Sequence, residues 1–92
     1  MEISYDNNYQ VYPNPFTEIF KISIYLDEIS DVNIEITDEF GKQEYSKELK
    51  DLVSGQNIIT LAATECHLSP GMHFVKVMAD NKITIKKINC IK

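Results

Sequence analysis

The side chains of this sequence that could do chemistry are two histidines, two cysteines and a few pairs of acids. Glu65, Cys66 and His67 are consecutive, and His73 follows shortly after them. Thiolate and imidazole groups are common zinc ligands, and a Cys–His pair can act as an activated nucleophile. Consecutive side chains of a strand point to opposite faces, however, so these groups are not expected to converge. The sequence therefore predicts no metal site and no catalytic pair here.

The other candidates for catalysis are equally sparse. The acid pairs Asp27-Glu28 and Asp38-Glu39 fall in turn-like segments, where solvated carboxylates are the ordinary case. The chain has only three glycines, and they form neither a phosphate-binding loop nor a nucleophile elbow. We expect the chain to be no enzyme and to bind no cofactor.

Composition sets further limits. A chain of 92 residues makes one domain, and its 43% hydrophobic content is enough for one core. The net charge is −5 and arginine is absent, which argues against nucleic acid and anionic lipid as partners. No apolar run approaches the ~18 residues of a membrane span. The first residues are acidic and do not resemble a signal peptide, so an export signal would lie upstream.

The apolar residues alternate with polar ones, which is typical of strands with one buried face. The alternating apolar positions are Phe20, Ile22, Ile24 and Leu26, then Val32, Ile34 and Ile36, then Ile59 and Leu61, then Val75, Val77 and Ala79, and then Ile83 and Ile85. Residues 44–53 are the one stretch that suits either a helix or a strand.

Turn-forming residues separate these runs. They lie at residues 13–15, 38–41, 54–57, 69–71 and 80–81, and include all three prolines and all three glycines. Short strands with turns at this spacing indicate an all-β, immunoglobulin-like antiparallel β-sandwich of about seven short strands. We expect this domain to be monomeric.

The register of the last hairpin can also be predicted. If Ile83 and Ile85 share the core face with Val77 and Ala79, Ala79 opposes Ile83 and Val77 opposes Ile85. Residues 80–82 then form a three-residue loop.

The apolar positions change phase after Ile85, to Ile88 and Cys90. A second bulge near Lys86 and Lys87 would explain the change and would push both lysines outward. Cys66 and Cys90 are too few for a disulfide framework, and two buried free thiols are the favoured interpretation.

Charge is uneven along the chain. Residues 81–92 contain four lysines and no acid, whereas all fourteen acids lie at or before Asp80. The lysines could protect an edge strand from aggregation, or they could form a basic docking tail for an acidic partner. The sequence does not separate these two interpretations.

An aromatic cluster suggests a second class of function. Tyr5, Tyr9, Tyr12 and Phe16 lie near the N-terminus, and Tyr25 is predicted to face outward. Such rings could stack on sugars, although packing at the end of the sandwich is the favoured interpretation. A non-catalytic carbohydrate-binding or adhesive module is therefore the alternative function.

Five segments together resemble the type A C-terminal sorting domains of type IX (Por) secretion in Bacteroidota. They are Val-Tyr-Pro-Asn-Pro-Phe at residues 11–16, the strand and turn ending in Gly-Lys at 34–42, Gly-x-Asn-x-apolar-x-Leu at 55–61, the Leu-Ser-x-Gly turn and aromatic strand at 68–77, and Lys-Lys-apolar at 86–88. The resemblance implies recognition or structural roles for Pro13, Asn14, Pro15, Asp38, Gly41, Lys42, Gly55, Asn57, Gly71, Phe74, Lys86 and Lys87.

The resemblance also implies a biological role. Residues 1–10 would link an upstream cargo to the sorting domain at residues 11–92. The cargo would reach the periplasm, and the type IX translocon with its shuttle protein would then carry it to the outer membrane and cell surface. A sortase would cut upstream of Pro13 and attach the cargo to lipopolysaccharide.

Two positions depart from the family pattern. His73 stands where the family typically has Tyr, and Gln43-Glu44 replace apolar residues after Gly-Lys.

Overall fold

A computed structural model of the chain describes residues 2–4, 9–79 and 82–91. The strands in chain order are β1 (Glu2–Ser4), β2 (Tyr9–Tyr12), β3 (Ile19–Leu26), β4 (Ser30–Asp38), β5 (Gln43–Leu52), β6 (Gly55–Ala62), β7 (Gly71–Ala79) and β8 (Lys82–Cys90). One helical turn, α1 (Ala63–Cys66), lies between β6 and β7. No helix of the described part of the chain has the length and apolar character needed to cross a membrane.

The strands form two sheets that pack as a sandwich. One sheet has the order β1-β8-β7-β4-β5 and the other has the order β2-β3-β6. Neighbouring strands are antiparallel except β1, which pairs with β8 in parallel. The predicted all-β sandwich is confirmed, with seven strands from Tyr9 to Cys90 and the short β1 before them.

The core lies between the sheets and follows the predicted alternation. The fully buried side chains of β3 and β4 are Phe20, Ile22, Ile24, Leu26, Val32, Ile34 and Ile36. Val75, Val77 and Ala79 of β7 are also buried, as predicted. Leu61 is buried and Ile59 is partly buried against the same core. Removing so many apolar side chains from water supplies the main driving force for folding.

The ambiguous stretch is strand β5, and it is irregular. Ile36 pairs with Tyr45, whereas Thr37 pairs with Gln43, so Glu44 is an extra residue in the ladder. Such a β-bulge turns two successive side chains toward one face. Both Glu44 and Tyr45 are partly buried as a result.

The turn between β4 and β5 is held by Asp38. Its Oδ1 atom accepts hydrogen bonds from the backbone N–H groups of Phe40 and Lys42, each at 2.9 Å. Gly41 has a φ of +88°, a conformation that residues with a Cβ atom rarely adopt. Both features explain the Asp38–Gly41 sequence at the predicted turn.

The predicted register of the last hairpin is wrong by one residue. Val77 pairs with Thr84, and Ala79 pairs with Lys82. Because a one-residue shift moves every side chain to the other face, Thr84 is fully buried, whereas Ile85 is 37% exposed. Residues 80 and 81 lie outside the described residues.

The predicted bulge near Lys86 and Lys87 is also wrong. The β7–β8 ladder runs without interruption from Gly71–Cys90 to Ala79–Lys82. Burial of Ile88 and Cys90 therefore fixes the phase of the whole strand, and Lys86 lies on the inner face, partly buried, while Lys87 is exposed. Ile83 lies opposite Met78, so these two side chains cover each other on the outer face.

The observed register predicts an effect of changing Thr84. Its hydroxyl is buried and has no hydrogen-bond partner among the described residues. Because valine has nearly the same shape, Thr84→Val should raise the free energy of unfolding by about 1 kcal/mol, measured by chemical denaturation. The exposed Thr60 of β6 is the control, and Thr60→Val should change stability by less than about 0.5 kcal/mol. A destabilised Thr84→Val variant would contradict the register.

Candidate functional site

The N-terminal motif Pro13-Asn14-Pro15 lies against the last strand. Strand β2 ends at Tyr12, as the prolines predict, and both X–Pro peptide bonds of the motif are cis. The side-chain amide of Asn14 donates a hydrogen bond to the carbonyl oxygen of Lys87 at 2.9 Å. Its carbonyl oxygen Oδ1 accepts one from the backbone N–H of Asn89 at 3.0 Å. The Asn14 side chain thus donates one hydrogen bond to the β8 backbone and accepts one from it, as the backbone of a neighbouring strand would.

Phe16 continues this pairing along β8. Its N–H donates to the carbonyl of Asn89, and its carbonyl accepts from the N–H of Ile91, both at 2.9 Å. The Phe16 ring is buried and packs against Phe20, with ring centroids 4.8 Å apart. The ring therefore anchors the motif in the core while the backbone covers the end of β8.

The beginning of β8 is covered by β1. Glu2, Ile3 and Ser4 pair in parallel with Lys82, Ile83 and Thr84. If the C-terminal lysines protected an edge strand, the backbone of β8 would be exposed, but it is paired at both ends of the strand. The reason is that segments preceding β3 return to β8 and pair with it.

The outer face of the last hairpin remains accessible. We call it the outer hairpin face and define it by the outward residues of β7 and β8: Met72, Phe74, Lys76, Met78, Ile83, Ile85, Lys87 and Asn89. Lys87 lies directly opposite Phe74. The ammonium group of Lys76 lies 3.7 Å from a carboxylate oxygen of Glu35 on β4. Lys76 therefore shares its charge with Glu35, and this face is mainly apolar with Lys87 as its exposed positive charge.

The other motif residues lie at or beside turns, and of these Gly71 adjoins the hairpin, at the start of β7. Gly41 and Lys42 are in the β4–β5 turn. Gly55 begins β6 with a φ of +94°, and the Asn57 amide donates to the carbonyls of Val53 and Gly55. Gly71 begins β7 with a φ of +124°. The geometry accounts for these residues as parts of turns.

The Cys-His segment does not form a reactive site. Cys66 is buried in α1, and burial, followed by the nearby Glu65 carboxylate, raises the pKa of its thiol to about 11. A neutral thiol is a poor nucleophile and metal ligand. His67 is exposed beside it in a left-handed conformation. The described residues contain no group of three or more side chains able to hold a metal ion.

Cys66 and Cys90 are both buried and free, as the sequence predicted.

His73 is engaged in a buried contact that the sequence did not suggest. Its Nδ1 atom lies 2.6 Å from Oε1 of Glu44, and its Nε2 atom lies 2.7 Å from the carbonyl oxygen of Ser69. A carbonyl can only accept, so Nε2 carries a proton and donates it to Ser69. Both ring nitrogens are occupied, which leaves neither available to a metal.

Two of the residues that depart from the pattern of the resembling family, His73 and Glu44, therefore contact each other. Glu44 reaches His73 because the bulge in β5 turns its side chain toward the sheet interior. Sequence analysis missed this pairing because β5 and β7 are separated by β4, and a bulge leaves little signal in a charged strand.

The aromatic residues do not form a continuous platform over the described part of the chain. Tyr9 and Phe16 belong to the core, and Tyr12 and Tyr25 are left exposed on the three-stranded sheet. Tyr5 lies outside the described residues. The expectation that these rings pack the sandwich holds for Tyr9 and Phe16.

Comparison with known proteins gives one family match. The model of the secretion system C-terminal sorting domain family matches residues 10–91. No curated protein matches the chain at a significant level.

The geometry of Asn14 predicts how it stabilises the last strand. Asn14→Ala removes two hydrogen bonds and should lower the free energy of unfolding by about 1–2 kcal/mol. It should also accelerate hydrogen exchange of the Asn89 amide, measured by NMR. Asn14→Asp keeps the acceptor for Asn89 but sets a carboxylate oxygen against the carbonyl oxygen of Lys87, so it should not restore the lost stability. Gln10→Ala is the exposed control, and equal Asn89 exchange in Asn14→Ala and this control would contradict the pairing.

The His73–Glu44 contact predicts coupled mutational effects. In a double-mutant cycle of His73→Phe and Glu44→Leu, the coupling energy from chemical denaturation should be about 0.5–3 kcal/mol. His73→Phe removes the hydrogen bond to Ser69 whether residue 44 is Glu or Leu, so this loss cancels in the coupling energy. The same cycle on the more exposed pair Lys76 and Glu35 is the control, with an expected coupling below about 1 kcal/mol. Additive effects of His73→Phe and Glu44→Leu would show that the contact contributes nothing.

Proposed function

The chain belongs to the secretion system C-terminal sorting domain family, which supplies sorting signals for type IX secretion, and we propose that the type IX machinery recognises it through the outer hairpin face. In this proposal residues 11–92 are a folded signal, and residues 1–10, which contain β1 and the start of β2, join it covalently to an upstream cargo protein. The domain acts as substrate and signal rather than as a catalyst, which agrees with the buried thiol of Cys66 and the two occupied ring nitrogens of His73.

The observation that carries the proposal is the composition of the outer hairpin face. Met72 and Ile85 are 38% and 37% exposed on the outer side of β7 and β8. Exposed apolar side chains next to positive charge favour a partner with an apolar and acidic surface. The basic docking interpretation of the C-terminal lysines thus applies to Lys87. Lys86 has a different role, because its side chain lies on the inner face.

The covered edge of β8 supports recognition through side chains. Strand addition requires free backbone donors and acceptors. At both ends of β8 these groups are paired, with β1 at its start and with Asn14 and Phe16 at its end. Recognition of the intact domain therefore depends on side chains presented by the hairpin.

The proposed partners are the shuttle protein and the sortase that the family resemblance implies. The translocon shuttle protein would dock on the outer hairpin face, and a sortase would cut the chain upstream of Pro13. Because the Pro13–Phe16 segment is bound to β8, a cut upstream of it leaves the end of β8 covered. The cargo would pass from the periplasm to the outer membrane and cell surface.

A reporter fusion tests the proposal. Residues 1–92 placed behind a periplasmic reporter should bring it to the surface of a type IX-competent bacterium, measured by surface labelling. Lys87→Glu combined with Ile85→Glu should reduce surface labelling several-fold, because it reverses charge and removes apolar area on the docking face. Deleting residues 83–92 should leave the reporter in the periplasm.

Lys21→Glu is the matched control, since Lys21 is exposed on the opposite sheet. It should export as the unchanged fusion does. Circular dichroism of each purified domain shows that the variants are folded. Normal export of the folded double variant would exclude the outer hairpin face as the recognition surface. An intact fusion that stays periplasmic, from a domain that binds glycans in vitro, would replace the sorting proposal by the carbohydrate-binding alternative.

A further inference from the structure

Strand β6 forms an open edge of the three-stranded sheet. It lies at the end of the order β2-β3-β6, and the structure places no described strand beyond it. A strand in this position exposes backbone N–H and C=O groups that can pair with another strand. Its pairing with β3 is regular from Ile19–Ala62 to Leu26–Gly55, so no bulge disturbs the edge.

The other edges of the described sandwich are protected in recognised ways. Strand β5 is interrupted by register shifts and carries charges at Lys47, Glu48 and Lys50. Strand β2 has four residues and is followed by Pro13. Strand β1 has three residues. Short length, charge, proline and bulges are the means by which proteins prevent edge-to-edge pairing.

Strand β6 has none of these protections. It is eight residues long, and its sequence Gly-Gln-Asn-Ile-Ile-Thr-Leu-Ala contains no charge and no proline. Its outward residue Ile58 is 53% exposed, and Tyr25 on the neighbouring β3 is 52% exposed. Exposed apolar side chains and an unprotected backbone edge therefore coincide.

We propose that β6 pairs antiparallel with β6 of a second copy of this domain, which joins the two three-stranded sheets into one six-stranded sheet. Charge favours a second copy as the occupant. An uncharged strand can face itself without opposing like charges, and the only charged side chain on the outer face of the described three-stranded sheet is Lys21. Charged partners, in contrast, find no complementary charge on β6.

The side chains fit a two-fold arrangement centred on Ile58. Ile58 then opposes Ile58 of the second copy, and Gln56 opposes Thr60 of the second copy on the same face. Cross-strand pairs of apolar residues and of hydrogen-bonding residues both stabilise sheets. An edge of eight residues buries less surface than a standard interface of about 1,600 Å², so the dimer is weak and reversible.

Sedimentation velocity of the isolated domain tests the association. Its weight-average mass should rise toward that of a dimer between about 10 μM and 1 mM, as expected for a small interface. Ile58→Lys should keep the domain monomeric over this range, because it places like charges at the two-fold axis. Ile85→Lys is the matched control on the other sheet and should associate as the unchanged domain does.

A cross-linking experiment tests the register. Ile58→Cys should form an intermolecular disulfide under mild oxidation, whereas Ile85→Cys should not. The native Cys66 and Cys90 are buried and do not compete. A domain that is monomeric at 1 mM overturns the proposal. So does association that survives Ile58→Lys, or that is lost with Ile85→Lys, because it would use another surface.

Discussion

The structure depends on how the backbone edge of its last strand is satisfied. Strand β8 ends the chain and has β7 on one side, so its other side would expose donors and acceptors over its whole length. Asn14 and Phe16 pair with the end of this edge, and β1 pairs with its start. A motif near the N-terminus thereby fixes the C-terminal strand, which explains physically why the first and last motifs belong together in one domain.

The same pairing ties the two sheets to each other. Phe16 places its backbone beside β8, in the five-stranded sheet, and its ring against Phe20 of β3, in the three-stranded sheet. The backbone hydrogen bonds of Phe16 hold it beside β8, and its buried ring holds it against β3. Breaking the hydrogen bonds or exposing the ring to water would cost free energy. The segment between β2 and β3 therefore closes this side of the sandwich.

Sequence periodicity was sufficient for the strands that bury one complete face. Phe20 to Leu26 and Val32 to Ile36 alternate strictly, and each of their inward residues is buried. The predicted register of β8 was wrong because Ile83, Ile85, Ile88 and Cys90 do not share one phase. The burial of Ile88 and Cys90 determined the register, and Thr84 had to enter the core despite its hydroxyl. The Asn14 and Glu44 contacts were equally hidden, since side-chain hydrogen bonds between distant segments leave no periodic signal.

The two sides of the sandwich differ in what they offer a partner. On the five-stranded sheet, segments preceding β3 occupy the backbone edge of β8, which leaves the side chains of the outer hairpin face as the accessible feature. On the three-stranded sheet, β6 presents its backbone edge with no charge to protect it. Recognition by side chains depends on a complementary surface, whereas pairing along a backbone edge draws its affinity mainly from main-chain hydrogen bonds. The covered edge therefore suits a signal that one machinery must distinguish, and the open edge suits weak association between identical domains.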